Sequence, residues 1–104
     1  MKVYISGPMT GMPELNFPAF NLAAEQLRAA GYVVVNPVEV NDGHSSEWGD
    51  CMRNDIRALM DCDTVALLPG WQASRGANLE RHIAQELGMT VLEVEDLLLA
   101  STEQ

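Results

Sequence analysis

The strongest constraint on this chain is an alternation: four short apolar, β-branched segments are separated by segments with helical spacing. Lys2 to Ser6 reads as a strand and ends at Gly7-Pro8. After a Met/Thr/Gly/Pro-rich loop, Pro18 suits the first turn of a helix running to about Ala30. Phe20, Ala23, Ala24 and Leu27 form its apolar stripe, and Gly31 supplies the stop. Tyr32 to Asn36 reads as the second strand, closed by Pro37; its Val33-Val34-Val35 run predicts helices over both faces. A polar loop over 41–46 carries turn chemistry and a helix cap. The next helix, about Glu47 to Asp61, has Trp48, Met52, Ile56, Leu59 and Met60 at helical spacing. Thr64 to Leu68 reads as the third strand, about Ala77 to Leu87 as a helix, Thr90 to Val94 as the last strand and Glu95 to Ser101 as a short terminal helix.

This order implies parallel strands joined by right-handed crossovers. It predicts an α/β, three-layer, flavodoxin-like (Rossmann-like) parallel sheet of about four strands in order 2-1-3-4, with helices on both faces and one domain over 1–104. In such sheets the ligand crevice lies outside the carboxyl ends of strands 1 and 3, where the strand order reverses. That rule selects the loops after Ser6 and after Leu68.

Composition narrows the function classes. Fifteen acidic against six basic residues give a formal net charge of −9, which excludes a nucleic-acid polymer as partner. Charged residues are only 20% and apolar ones 47%, in periodic blocks, which excludes intrinsic disorder. The longest apolar runs fall far short of the roughly twenty residues of a membrane span. Met1-Lys2-Val3-Tyr4 leads straight into a strand with no signal-peptide core behind it, so a cytoplasmic location is expected. Cys51 and Cys62 bracket one helix and stand roughly 16 Å apart along it, so the expectation is reduced thiols.

The first selected loop is Ser6-Gly7-Pro8-Met9-Thr10-Gly11, whose glycines allow close backbone approach by a ligand, as tight turns also require. It is neither a Walker A loop nor a GxGxxG. Met9 and Met12 suit either a pocket wall or gap filling. In the second loop, after Pro69-Gly70, Trp71 suits stacking on a base, packing within the loop or an interface. Ser74, Arg75 and Gly76 then open a helix, where unpaired N–H groups and the macrodipole favour an anion.

Two carboxylates lack local partners. Glu80 shares a helical face with Ile83, Ala84 and Leu87 and has no basic residue at i±3 or i±4, whereas His82 and Glu86 form an i, i+4 pair. An acidic residue near a helix start ordinarily serves the dipole, but an inward carboxylate without a donor is expensive unless it has a task. Asp50 can pair with Arg53, and Arg57 with Asp61; Asp55 has no such neighbour and lies beside Met52 and Leu59, at the rim of the apolar stripe. Tyr4 suits ordinary core with its hydroxyl at a polar edge. His44 and His82 lie far apart and have no partners at zinc-site spacing, so neither a metal nor a cofactor is expected.

Tyr4-Ile5-Ser6-Gly7-Pro8-Met9-Thr10-Gly11, Asn36-Pro37, Arg53-Asn54-Asp55 and Ser74-Arg75-Gly76-Ala77-Asn78-Leu79-Glu80 together resemble the bacterial and phage family called domain of unknown function 4406. That family resembles the nucleoside 2-deoxyribosyltransferase-like superfamily, which includes deoxynucleoside monophosphate N-glycosidases. The resemblance implies Glu80 as nucleophile, Asp55 as the group handling the base's proton or orienting the sugar, and Tyr4 as the group positioning Glu80. It implies a nucleoside or nucleotide bound by Ser6, Gly7, Pro8, Met9, Thr10, Gly11, Gly70, Trp71, Ser74, Arg75 and Gly76, and a homodimer. Ser74 matches a serine that contacts the 5′-phosphate in the nucleotide hydrolases, which favours a nucleotide over a nucleoside. Thr10 stands where those hydrolases carry a phosphate-binding arginine, and Arg81-His82 follows the glutamate where relatives read Leu-Gly. The expected function is therefore an N-glycosidase or 2-deoxyribosyltransferase. The alternatives are a non-catalytic nucleotide-binding module, a structural role, or another glycosidic ligand such as NAD.

Overall fold

The computed structural model describes residues 1–42 and 47–102. Its strands are β1 (Lys2–Ser6), β2 (Val33–Val35), β3 (Thr64–Leu67) and β4 (Thr90–Glu93). They form one all-parallel sheet in the order β2-β1-β3-β4, so the doubly wound arrangement expected from the alternation is the one the chain adopts. Helices α1 (Phe17–Ala29), α2 (Pro37–Val40), α3 (Trp48–Leu59), α4 (Arg75–Glu86) and α5 (Val94–Thr102) complete the three layers. The expected polar loop falls mostly on 43–46, with His44, outside the described residues.

The two-residue period of a strand divides the core. Val3, Ile5 and Ala66 turn to a cluster with Phe20, Ala23, Ala24 and Leu27 of α1 and Val94 and Leu97 of α5. Tyr4, Val65 and Leu67 turn the other way, to Leu59 of α3 and Ala84 of α4. β1 and β3 are the inner strands, so their side chains are covered on both faces. The same alternation brings Tyr4 onto the α4 side of the sheet.

Several local expectations need correction. β2 is shorter than expected and is an edge strand; Val34 is buried, but Val33, at its outer end, is 61% exposed. Met60 and Leu87 lie past the last turns of α3 and α4 and are exposed, so neither continues its helix's buried stripe. Asn36-Pro37 does more than close a strand: the Asn36 side chain accepts the Val38 N–H at 3.1 Å and caps the single turn of α2, with Pro37 preset for the helix. Asp50 and Arg53 pair as expected, at 3.7 Å, but Arg57 donates to Asn54, and His82–Glu86 is not an ion pair among the described residues. Neither Cys51 nor Cys62 forms a disulfide, and burial raises both thiols, Cys62 to about 11.

The turn after β1 is set by packing. A Cβ on Gly7 would stand 2.7 Å from the Leu68 Cβ, closer than any real side chain tolerates. Leu68 is itself buried and cannot yield. Gly7→Ala is therefore expected to lower stability by about 1–3 kcal/mol with no ligand present. A urea titration of the apo variant checks this; an unchanged midpoint would mean the turn is loose.

Candidate active site

The loops after β1 and β3 open onto a cleft of about 1350 Å³ at the carboxyl end of the sheet. β1 and β3 are adjacent there while their connections depart to opposite sides, which opens a crevice. The loop after β1, the start of α1, α2, the first turns of α3 and the N-terminus of α4 all contribute to its wall.

Glu80 is the sixth residue of α4, on the face turned to the sheet, and is 4% exposed. The Tyr4 hydroxyl donates to its Oε2 at 2.5 Å and the Ser6 hydroxyl to its Oε1 at 2.7 Å. Tyr4 and Ser6 are two apart on β1 and therefore share a face, so one strand supplies both donors. Glu80 does not cap its helix; Ser74 does, accepting the Ala77 N–H at 3.1 Å. No cation pairs with Glu80 among the described residues. Burial pushes its carboxyl up to about 7, against the pull of the Tyr4 and Ser6 hydroxyls, and the Asp55 charge adds to the rise.

Asp55, on α3, is 8% exposed and lines the same cleft, which removes the solvated-rim alternative. The Asn41 side-chain amide donates to its Oδ1 at 2.7 Å. Burial raises Asp55 to about 6, opposed by Asn41 and by the Tyr4 hydroxyl. Tyr4 is fully buried, and its phenol is held well above its usual range by burial and by the Glu80 and Asp55 charges. The two carboxyls thus sense each other around one phenol. They lose protons as a coupled pair, and between about 6 and about 7 that pair holds one proton.

Of the binding residues expected from sequence, Gly7, Pro8, Met9, Thr10, Gly70, Ser74, Arg75 and Gly76 line the cleft. Ser6 does not; it is buried behind Glu80 as a hydrogen-bond donor. Gly11 also lies outside the lining, in a left-handed turn at φ +82°. Trp71 packs against the Tyr4, Leu59, Val65, Leu67 and Ala84 cluster, with the Arg81 guanidinium 4.9 Å from its ring centre. Its Nε1 is buried and has no partner among the described residues. Gly76 is required by packing as well, since a Cβ there would meet the Met52 sulfur at 3.1 Å.

Sequence reasoning missed two contributors. Asn41 lies 14 residues from Asp55, with no periodic relation to reveal the contact. Trp48 read as core, yet it lines the cleft half-exposed, with the Arg75 guanidinium 3.9 Å above its ring. Arg75 is the one cation in the described lining, which also holds four carboxylates: Glu39, Asp42, Asp55 and Glu80. Glu39 is engaged by Arg28 at 2.7 Å. No cluster of three or more His, Cys, Asp or Glu side chains among the described residues offers a metal site.

A family profile matches residues 1–93, from the start of β1 to the end of β4. The chain belongs to the DUF4406 family, described as a domain of unknown function. The match takes in every residue of the Tyr4, Ser6, Asp55 and Glu80 cluster and every strand of the sheet. No curated protein matches the chain. None of its helices among the described residues is long and apolar enough to cross a membrane.

The raised carboxyl of Glu80 has a consequence for stability. Its folded pKa lies above its ordinary 4.5, so its contribution is complete below 4.5 and is lost as pH rises through about 7. Glu80→Gln keeps an acceptor for the β1 hydroxyls and removes the charge. At pH 8 the variant is expected to be more stable than the wild type by about 2–3 kcal/mol, with the gap closing towards pH 4.5. Paired denaturant titrations at the two pH values test this; a gap independent of pH would contradict it.

Proposed function

We propose that the chain is an N-glycosidase or 2-deoxyribosyltransferase of the nucleoside 2-deoxyribosyltransferase-like superfamily, acting on (deoxy)nucleosides or their 5′-monophosphates. The observation that carries this reading is Glu80: a buried carboxylate with no cation paired to it among the described residues, gripped by two hydroxyls and opening onto a cleft that also holds Asp55. Perturbed buried acids of this kind cluster at functional sites, where nucleophiles and general acids need them.

In this reading a Glu80 oxygen attacks the anomeric carbon as the bond from that carbon to the base nitrogen breaks, through an oxocarbenium-like transition state. Asp55 delivers its proton to the departing base. The product is a glycosyl ester on Glu80. Water, or a second base, then attacks the same carbon; Asp55 takes the proton from the incoming group, and Glu80 leaves as a carboxylate. Hydrolysis and transfer differ only in that acceptor. The donors from Tyr4 and Ser6 hold both Glu80 oxygens in place and favour the ionised form needed for attack. One proton on the pair, with Glu80 ionised and Asp55 neutral, is the competent state; with Glu80 raised to about 7 and Asp55 to about 6 it is the less populated of the two one-proton forms.

Arg75 and the Ser74 cap at the α4 N-terminus support a nucleotide as substrate, because they gather positive potential at one end of an otherwise acidic cleft. A homodimer that covers the exposed Met12, Leu15 and Phe17 at the cleft mouth, and a cytoplasmic location that keeps both thiols reduced, complete the proposal.

Release of free base from a panel of nucleosides and 5′-monophosphates tests the assignment. Glu80→Ala is expected to lose at least about a thousandfold in rate and Asp55→Asn about a hundredfold or more. The wild-type profile is expected to be bell-shaped, with limbs near about 6 and about 7. Arg75→Gln is expected to cost about tenfold in kcat/KM for monophosphates and little for nucleosides. No release, with a thermal shift on adding monophosphates, would replace the enzyme by a nucleotide-binding module.

A further inference from the structure

We propose that Asn41 is a positioning residue of this site: anchored on α2, its amide selects Oδ2 of Asp55 as the oxygen that carries the exchangeable proton. The use of that proton rests on the glycosidic reading above; its placement does not.

The contact is specified from three sides. Asn41 closes the single turn of α2, and its Nδ2 donates to the Pro37 carbonyl at 3.0 Å and to Asp55 Oδ1 at 2.7 Å. Its Oδ1 accepts from Asn54 Nδ2 at 3.4 Å. Both hydrogens of the amide nitrogen are therefore assigned. The reverse orientation would aim an amide oxygen at a carbonyl and a carboxylate, so the network fixes the nitrogen's place. α2 is itself secured by Asn36, which is 1% exposed, caps the turn through Oδ1 and donates through Nδ2 to Asn21 at 3.0 Å. Arg28 adds a second tie, donating to Glu39 of α2 and to the Val34 carbonyl of β2. A short turn held at both of these points is a firm mount.

The chemical consequence follows from hydrogen-bond directionality. An oxygen that accepts an amide hydrogen at 2.7 Å has no room for a proton of its own in that direction. The amide thus biases a neutral Asp55 towards protonation on Oδ2. Glu80 differs, because hydroxyls donate to both of its oxygens. The Tyr4 hydroxyl also faces Asp55, but its one hydrogen goes to Glu80 Oε2, so among the described residues Glu80 accepts two hydrogens and Asp55 one. This asymmetry favours Asp55 as the proton carrier and Glu80 as the anion, against the order in which burial raises them, Asp55 to about 6 and Glu80 to about 7. Burial, then Asn41 on α2 and Tyr4 on β1, set the Asp55 titration; its charge in turn raises Glu80 on α4 and the neutral Cys51 thiol on its own helix.

The test follows the Asp55 and Glu80 side-chain carboxyls by ¹³C NMR across pH, in the full chain, as wild type, Asn41→Ala and Asn41→Asp. Asn41→Asp preserves shape while replacing the donor by an acceptor. The proton affinity of Asp55 is expected to rise about tenfold in Asn41→Ala and further in Asn41→Asp, with a smaller change at Glu80. The basic limb of base release should move up with the Asp55 midpoint, and kcat should fall about tenfold while KM changes little. An Asp55 midpoint unmoved in both variants overturns the proposal, even where activity falls. An Asp55 midpoint that moves in the variants, with a wild type that releases no base, supports the placement and refutes only the glycosidic reading.

Discussion

A carboxylate removed from water with no counter-cation must be held by neutral donors or give up its charge, and Glu80 is balanced between those outcomes. Two hydroxyls on β1 pull it towards the ionised form against burial, and the balance leaves its carboxyl at about 7. They can reach it only because β1 is an inner strand, α4 lies across its carboxyl end and Tyr4 and Ser6 point to the same side of the pleat. Shifting β1 by one residue would swing both hydroxyls to the opposite face and leave Glu80 buried without partners. The register of the sheet and the state of the site are thus one constraint.

The surrounding architecture serves the same arrangement. Gly7 lets the turn after β1 pass close over Leu68, and Gly76 lets the start of α4 approach Met52 on α3. Both close contacts bring Glu80 and Asp55 to the walls of one cleft. Glycines in these loops therefore answer to packing before they answer to any ligand. The raised carboxyls oppose folding near neutral pH, and the two apolar clusters on either side of the sheet must outweigh them. Stability and reactivity pull against each other at the same two side chains.

How far the sequence could be read depended on the range of each interaction. The strand and helix periods were legible because burial imposes them locally, residue by residue; so were the sheet order and the crevice. Glu80 and Asp55 stood out for a related reason: each sat among apolar neighbours with no partner within one helical turn. Failures came where an element's place in the sheet decides exposure. Val33 reads like any central-strand valine until β2 is known to be an edge, and Met60 and Leu87 belong to an apolar stripe only if the helix continues to them. Trp71 packs, half-buried, against a core cluster with Arg81 over its ring, while Trp48, which patterns as core, came to the cleft.

By itself the sequence determined the α/β alternation, the parallel sheet and the two unpartnered acids, because hydrophobic periodicity and missing i±3 or i±4 partners are properties of contiguous chain. Tertiary structure alone decided that Tyr4 and Ser6 would grip Glu80 from more than 70 residues away, and that an asparagine on a single helical turn would grip Asp55. Hydrogen bonds between side chains distant in sequence depend on the relative placement of whole elements. No local pattern encodes that placement, and it is what turns two isolated carboxylates into a coupled pair.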